Sequence, residues 1–314
     1  MNRPSSPTLI EDSPLTTRTR GDSFVLYPLR RRLRLELAGR IVADTEEAVL
    51  WLERRDRAAL AEAVARNEHY FASTYYYLPR SAFIDGALKP SDEGRVDERV
   101  GRGRYLSVSA GDKRLDRAAW VWEEAPGTPT LNDLVGVDVH RFDAAFEEDE
   151  LVIGARSPFH TVDTRASSRH VRVLVDGTVI AESRSAVLLY ETGLPTRFYL
   201  PRIDVDTRYL ERSSSKGQCP YKGRSRYWNV VTPDARRTDA AWSYDLPFSA
   251  AVGIAGRIAF WEEAGVQIEI DGIPRPPLDT RRFTGVWDDE SKTLIGQTTG
   301  GDGRVSALAQ GGSK

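Results

Sequence analysis

The sequence predicts a mainly β protein built as two tandem copies of one small antiparallel domain. Three observations predict it. A gapless internal match contains hairpin signals, a set of short motifs recurs at one constant offset, and the composition allows two packed cores.

The N-terminal segment, residues 1–22, is rich in Ser, Thr, Pro and charge, which predicts flexible chain without the apolar core of a signal peptide. The stretch Leu33 to Glu53, LRLELAGRIVADTEEAVLWLE, then aligns without a gap on Val171 to Glu191, VRVLVDGTVIAESRSAVLLYE. Each reads as a strand, a turn at Gly39 or Gly177, a second strand, an acid-containing link and a third apolar strand ending in glutamate. Ala38-Gly39 and Asp176-Gly177 are the hairpin signals, and Asp-Gly is the stronger of the two.

Downstream, Tyr77-Leu78-Pro79-Arg80 matches Tyr199-Leu200-Pro201-Arg202. Gly101-Arg102-Gly103-Arg104-Tyr105 matches Gly223-Arg224-Ser225-Arg226-Tyr227, and Ala118-Ala119-Trp120 matches Ala240-Ala241-Trp242, all at the same offset. The first copy has an insertion from Asp56 to about Thr74, in which Arg57 to Arg66 (RAALAEAVAR) has the formers and spacing of a short helix. The expected organisation is a first domain over residues 23–153, a Ser- and Pro-containing linker over 154–170, a second domain over 171–286 and a mobile Gly-rich tail over 287–314.

Composition narrows the function. The 314 residues are 40% hydrophobic and 29% charged with a net charge of −2, which favours neither nucleic acid nor membrane as a partner. The cluster Arg30-Arg31-Arg32 reads as a solvated basic stretch. One cysteine permits no intrachain disulfide and no cysteine zinc cluster, and the four histidines lack ligand spacing, so no metal or cofactor is expected. No apolar run approaches membrane-spanning length, and a cytoplasmic protein with a reduced thiol is the expectation.

The second copy carries the more specific motifs. Cys219-Pro220-Tyr221-Lys222-Gly223, then Tyr227-Trp228, then Asp239-Ala240-Ala241-Trp242-Ser243-Tyr244, then Ile254-Ala255-Gly256 with Phe260, resembles the domain-of-unknown-function family 427, also labelled nucleotidyltransferase-like. The resemblance spans Val171 to Gly272 and extends more weakly to the first copy. It implies a β-tent fold, two antiparallel sheets pinned together at one end and splayed at the other. It implies no activity. The residues themselves lack the Gly-Ser and paired acids that phosphoryl transfer on two magnesium ions requires.

Cys219, Lys222 and Asp239 are the candidate chemical groups: a thiol beside lysines, a lysine beside aromatic rings, and a carboxylate where the first copy has Arg117. No histidine is near Cys219 in sequence, so a base would come from elsewhere, with His160 or His170 as candidates. Tyr221, Tyr227, Trp228, Trp242 and Tyr244 are the candidate ligand wall. Of Tyr227 and Trp228, Trp228 is expected on the cavity, because its counterpart Leu106 is the residue that changed. Lys222 is expected to be dispensable for folding. In the first copy Asp97-Glu98-Arg99-Val100 stands opposite Cys219-Pro220-Tyr221-Lys222, which casts the first copy as a structural partner. Three functions fit: small-molecule binding in an aromatic-walled pocket of the second domain, an enzyme of small-molecule metabolism using that pocket, or a protein-interaction module.

Overall fold

The computed structural model describes residues 24–53, 74–97, 100–125, 129–158, 160–192, 194–276, 286–288 and 293–295. The chain divides after Ser157 into two compact units. Among the described residues every helix is a short 3-10 segment, the longest being Ser249–Ile254, which kinks at Ala251, and all the paired strands are antiparallel. The helix expected around Asp56–Arg66 lies outside the described residues.

The first unit comprises β1 (Phe24–Pro28), β2 (Leu33–Leu37), β3 (Arg40–Thr45), β4 (Val49–Glu53), β5 (Thr74–Pro79), β6 (Leu88–Asp97), β7 (Gly101–Ala110), β8 (Lys113–Glu124), β9 (Leu134–Val137), β10 (Ala144–Glu147) and β11 (Glu150–Leu151). They form a large sheet in the order β1-β4-β5-β9-β8-β7-β6 and a small one in the order β11-β10-β2-β3. Alternation decides what meets between the sheets. Leu33, Leu35 and Leu37 of β2 are fully buried, and Arg34 and Glu36 between them point away. They pack on Leu50, Leu52, Tyr76, Leu78, Leu106 and Val121 of the large sheet. The other face of that sheet is also apolar. Val49, Trp51, Tyr77, Trp120 and Trp122 cluster there under Leu131, from the 3-10 turn Pro129–Asp133.

The second unit comprises β12 (Val162–Ser167), β13 (Val171–Val175), β14 (Thr178–Ser183), β15 (Ala186–Glu191), β16 (Arg197–Tyr199), β17 (Leu210–Cys219), β18 (Gly223–Val231), β19 (Arg236–Ser243), β20 (Ile258–Phe260), β21 (Gln267–Ile270) and β22 (Ile273–Pro274). Its sheets run β12-β15-β16, β17-β18-β19-β20 and β14-β13-β21-β22. Reciprocal backbone bonds between Leu200 and Ile258, at 2.8 and 2.9 Å, join the first two across β16 and β20. Element by element, this is the strand order of the first unit. The duplication is therefore structural as well as textual.

The hairpin turns match too. Ala38 and Gly39 have φ of 52° and 70°, and Asp176 and Gly177 have 45° and 83°, so both pairs hold two consecutive left-handed residues, the geometry that suits the strand twist. Arg117 and Asp239 share a left-handed backbone, at φ 56° and 52°, where β8 and β19 bulge against β7 and β18.

Two expected boundaries change. The segment expected as linker contains β12, which pairs along its length with β15 and is the counterpart of β1. Its residues, VDTRAS, are half-buried or exposed at a sheet edge, and an edge strand needs no apolar alternation to be recognised as a partner by its neighbour's backbone. Within the expected tail, β23 (Val286–Asp288) pairs with β24 (Thr293–Ile295) as a two-stranded ribbon.

Candidate functional site

The site grows from the ends of three strands. β15 delivers Glu191 as its last residue, β17 ends at Cys219, and β18 begins at Gly223. The turn between β17 and β18 is closed by the Lys222 amide donating to the Cys219 carbonyl at 3.3 Å. Gly223 takes φ 101°, a backbone that side chains disfavour, and so lets the chain reverse directly after Lys222. His160 lies just ahead of β12, which runs alongside β15 and so brings the ring to Glu191.

These residues meet as a buried charged cluster. The Lys222 ammonium donates to Glu191 Oε2, and His160 Nε2 lies 3.1 Å from Glu191 Oε1. The side chains of Glu191, Lys222 and His160 are 6%, 10% and 14% exposed. The His160 ring stacks on Tyr221 with centroids 4.1 Å apart. Burial is the largest influence on the Glu191 carboxyl and opposes its ionisation. The hydrogen bond with His160 and the adjacent Lys222 charge together outweigh it and hold the carboxyl below its usual range.

Beside the charges lies an aromatic face. Trp242 Nε1 donates to Tyr199 Oη at 2.9 Å, and Trp242 meets Tyr199 and Trp261 edge-on with centroids 6.2 and 5.8 Å apart. Tyr244 joins this buried cluster, and Cys219, Tyr227 and Trp261 pack against it. Burial pushes the hydroxyls of Tyr199 and Tyr244 far up; the nearby Tyr199 and then the Cys219 thiol add to the effect on Tyr244. Both phenols are therefore protonated donors at any physiological pH.

The structure thus gathers Cys219, Tyr221, Lys222, Tyr227, Trp242 and Tyr244 in one region and leaves two expected members elsewhere. Trp228 stands opposite Ala241 in the β18–β19 register, and Tyr227 stands opposite Trp242, so the two rings point to opposite faces. Trp228 packs on the core between the sheets, with the Arg202 guanidinium 5.4 Å from its ring. Its counterpart Leu106 is likewise a core residue. The difference between the copies at this position is one of core filling, and Tyr227 is the residue on the aromatic face. Asp239 sits in the β19 bulge, where Oδ2 accepts from Ser215 at 2.7 Å and its amide donates to Asn229. These partners tie it to the bulge and not to Lys222.

Glu191, which joins Lys222 to His160, is not among the residues that the sequence singles out. The available signal was its place as the terminal glutamate of the repeated stretch. Of the two histidines, His160 joins the cluster, whereas His170 lies 2.7 Å from Glu182.

The model of the Domain of unknown function (DUF427) family matches residues 61–148 and 163–272, together more than half of the chain. The chain belongs to the DUF427 family. The second DUF427 match begins inside β12, in agreement with the pairing that places this strand in the second unit. No curated protein matches the chain. Of the two DUF427 units, the second alone has the Lys-Cys pair: the first has Asp97 for Cys219 and Val100 for Lys222.

Proposed function

We propose that this protein binds a small anionic molecule at the second unit, on the surface formed by Lys222, Glu191, His160 and Tyr221 beside the Trp242–Tyr199 aromatic face. The buried Glu191–Lys222–His160 network carries this reading. An ion pair taken out of water stabilises a fold no better than well-packed apolar residues of equal volume, and the first unit folds the same way with Val100 at the lysine position. Lys222 also has donors to spare. An ammonium has three N–H groups, and among the described residues Glu191 engages one of them, which leaves two for an acceptor group on a ligand. Tyr221, stacked on His160, offers a flat wall. Leu246, largely exposed, precedes Phe248, whose amide donates to the Lys222 carbonyl at 3.1 Å, and adds an apolar group beside the turn.

The experiment is a thermal-shift screen of small carboxylates and phosphates against the wild type and Lys222→Met/Glu191→Leu, with native mass spectrometry for retained metabolites. A ligand that stabilises the wild type and not the double variant supports the reading. Equal stabilisation of both, or none by any anion, defeats it.

A second reading, an enzyme of small-molecule metabolism, is favoured by Cys219, which packs at the same aromatic face and shares the closed turn with Lys222. Cys219→Ser separates the two: a bound ligand that is turned over by the wild type and only held by the variant identifies thiol chemistry.

A further inference from the structure

Where the core of the second unit ends, the inner face of the sheet β17-β18-β19-β20 comes out into solvent carrying positive charge. Trp228, Ala241 and Phe260 share this face and pack on the core. Trp228 is at the border, half-buried, with the Arg202 guanidinium 5.4 Å from its ring. Arg226 and Arg224 precede it at alternate positions of β18 and are exposed. The neighbouring strand sets Arg212 opposite Trp228, Lys216 opposite Arg226 and Gln218 opposite Arg224, all three exposed. A side chain at Gly217 would meet Ser225 and Tyr227, which fixes those residues on the other, aromatic face. The cations and the aromatic face beside Lys222 are therefore on opposite sides of one sheet.

Arg226 has Asp245 at 3.0 Å. Arg202, Arg212, Lys216 and Arg224 have no carboxylate partner among the described residues. Acids of the same strands are engaged elsewhere: Glu211 holds Arg236, and Asp239 accepts from Ser215. Lys216 directly opposite Arg226 sets like charges across two strands, an arrangement that costs stability. The first unit avoids it. There Pro90, Gly94 and Leu106 hold the positions of Arg212, Lys216 and Trp228, and Asp92 and Glu93 stand exposed in the bulge where the second unit has Ser214 and Ser215. The fold is thus built in the first unit without these two cations or the indole.

The arrangement has a matching partner. Side chains at alternate positions of a strand are about 7 Å apart, so the face presents a row of cations with an indole at its end. A chain with one negative charge and one flat ring per unit is complementary to both. An acidic peptide added as a strand along the outer edge of β17 fits less well, because the irregularity between Arg212 and Lys216 and the Lys216 side chain itself guard that edge. We propose that this face of the second unit binds a single-stranded polynucleotide, with phosphates on Arg212, Lys216, Arg224 and Arg226 and a base against the Trp228–Arg202 pair. The net charge of −2 does not oppose this. Charges more than about 10 Å away are screened at ~0.1 M salt.

Fluorescence anisotropy on the full chain tests it, with labelled oligo(U) and oligo(dT) of about ten nucleotides. The expected Kd is on the order of 10 µM at low salt, and four phosphate contacts give a slope of log affinity against log salt of about −3. Binding of either strand supports the proposal, and the tighter of the two names its source. Lys216→Gln and Arg224→Gln should each flatten the slope by about 0.7. Trp228→Leu should weaken binding about tenfold with the slope unchanged. Should Trp228→Leu not fold, Arg202→Gln is the second variant, with an expected loss of about fivefold. Arg102→Gln, at the counterpart of Arg224 in the first unit, removes the same charge and should leave the affinity as it is. The proposal is overturned if neither oligonucleotide binds, if Arg102→Gln weakens binding as much as Arg224→Gln, or if the variants at Trp228 and Arg202 bind like the wild type. Poly-glutamate, a DNA duplex or phosphatidylserine vesicles that compete as well as the single strands overturn it too, by making the face a general anion surface.

Discussion

The outer face of the first unit and that of the second share one pair of residues and differ in what surrounds it. In both, a tyrosine of the equivalent strands β5 and β16 accepts an indole N–H at 2.9 Å: Tyr77 from Trp120, Tyr199 from Trp242. Both tyrosines are almost wholly buried; losing this bond would strand Tyr199 Oη in a dry place, while Tyr77 Oη keeps a second indole N–H, that of Trp122. The neighbouring positions are free to change. Arg95 of β6 spreads over the rings of the first unit, while its counterpart in β17 is Gly217. A side chain at Gly217 would begin 2.4 Å from Ser225 Oγ and 2.7 Å from Tyr227 Oη. The space taken by an arginine stem in one copy is thus occupied by a phenol in the other. The lesson is that duplication kept the hydrogen-bonded aromatic pair as scaffold and let the polar groups around it diverge, towards Arg95 and Asp97 in one unit and Glu191, Lys222 and His160 in the other.

Removing the shared pair is the most damaging test. Trp242→Ala and Trp120→Ala should each cost about 3–5 kcal/mol in denaturant unfolding, through the lost ring and, for Trp242, the deserted Tyr199 hydroxyl, since Tyr77 keeps its bond from Trp122. If one costs less than about 1 kcal/mol, the two faces are not equivalent scaffolds.

The next test concerns the charges that only the second unit has. Contrary to the sequence-based expectation that Lys222 is dispensable for folding, Lys222→Met should destabilise by about 3 kcal/mol at neutral pH, because it leaves the Glu191 carboxylate buried beside His160 alone. Adding Glu191→Leu should recover most of that loss. Failure of the second change to rescue the first would show that Lys222 acts through packing and not charge.

The same cluster gives a pH signature. The folded state holds the Glu191 carboxyl below its ordinary value, so its ionised form adds stability above the unfolded pKa of about 4.3. That contribution is lost as pH falls through the lower folded value. Glu191→Gln should therefore flatten the acid limb of the stability curve, measured by urea unfolding from neutral pH downwards. An unchanged limb would remove Glu191 from the set of coupled groups.

Smaller effects sharpen the assignment of faces. Trp228→Leu installs the residue of the first unit in the core and should cost about 2 kcal/mol, with ligand binding at Lys222 intact. Asp239→Asn should be the mildest, within about 0.5 kcal/mol, since asparagine tolerates the left-handed backbone of the bulge and can still accept from Ser215. Loss of binding in either variant would return that residue to the site.

The sequence by itself determined the duplication, the antiparallel class and the hairpin turns. Each is a local or periodic property: Asp176-Gly177 requires its left-handed turn whatever packs around it, and Leu33, Leu35 and Leu37 choose one face by alternation alone. The sequence also sets Tyr227, Trp242 and Tyr244 together as parts of one wall, but it does not include Tyr199, which the Trp242 indole joins to them only in the fold. Tertiary structure alone decided the rest. The face that Trp228 takes depends on the register of β18 with Ala241 in the neighbouring strand, and neighbouring letters do not contain that. The edge strand β12 is defined by its backbone bonds to β15, which its own letters do not contain. The pairing of Glu191 with Lys222 and His160 joins residues 31 apart in the chain on either side, and only the meeting of three strand ends brings their charges within reach of one another.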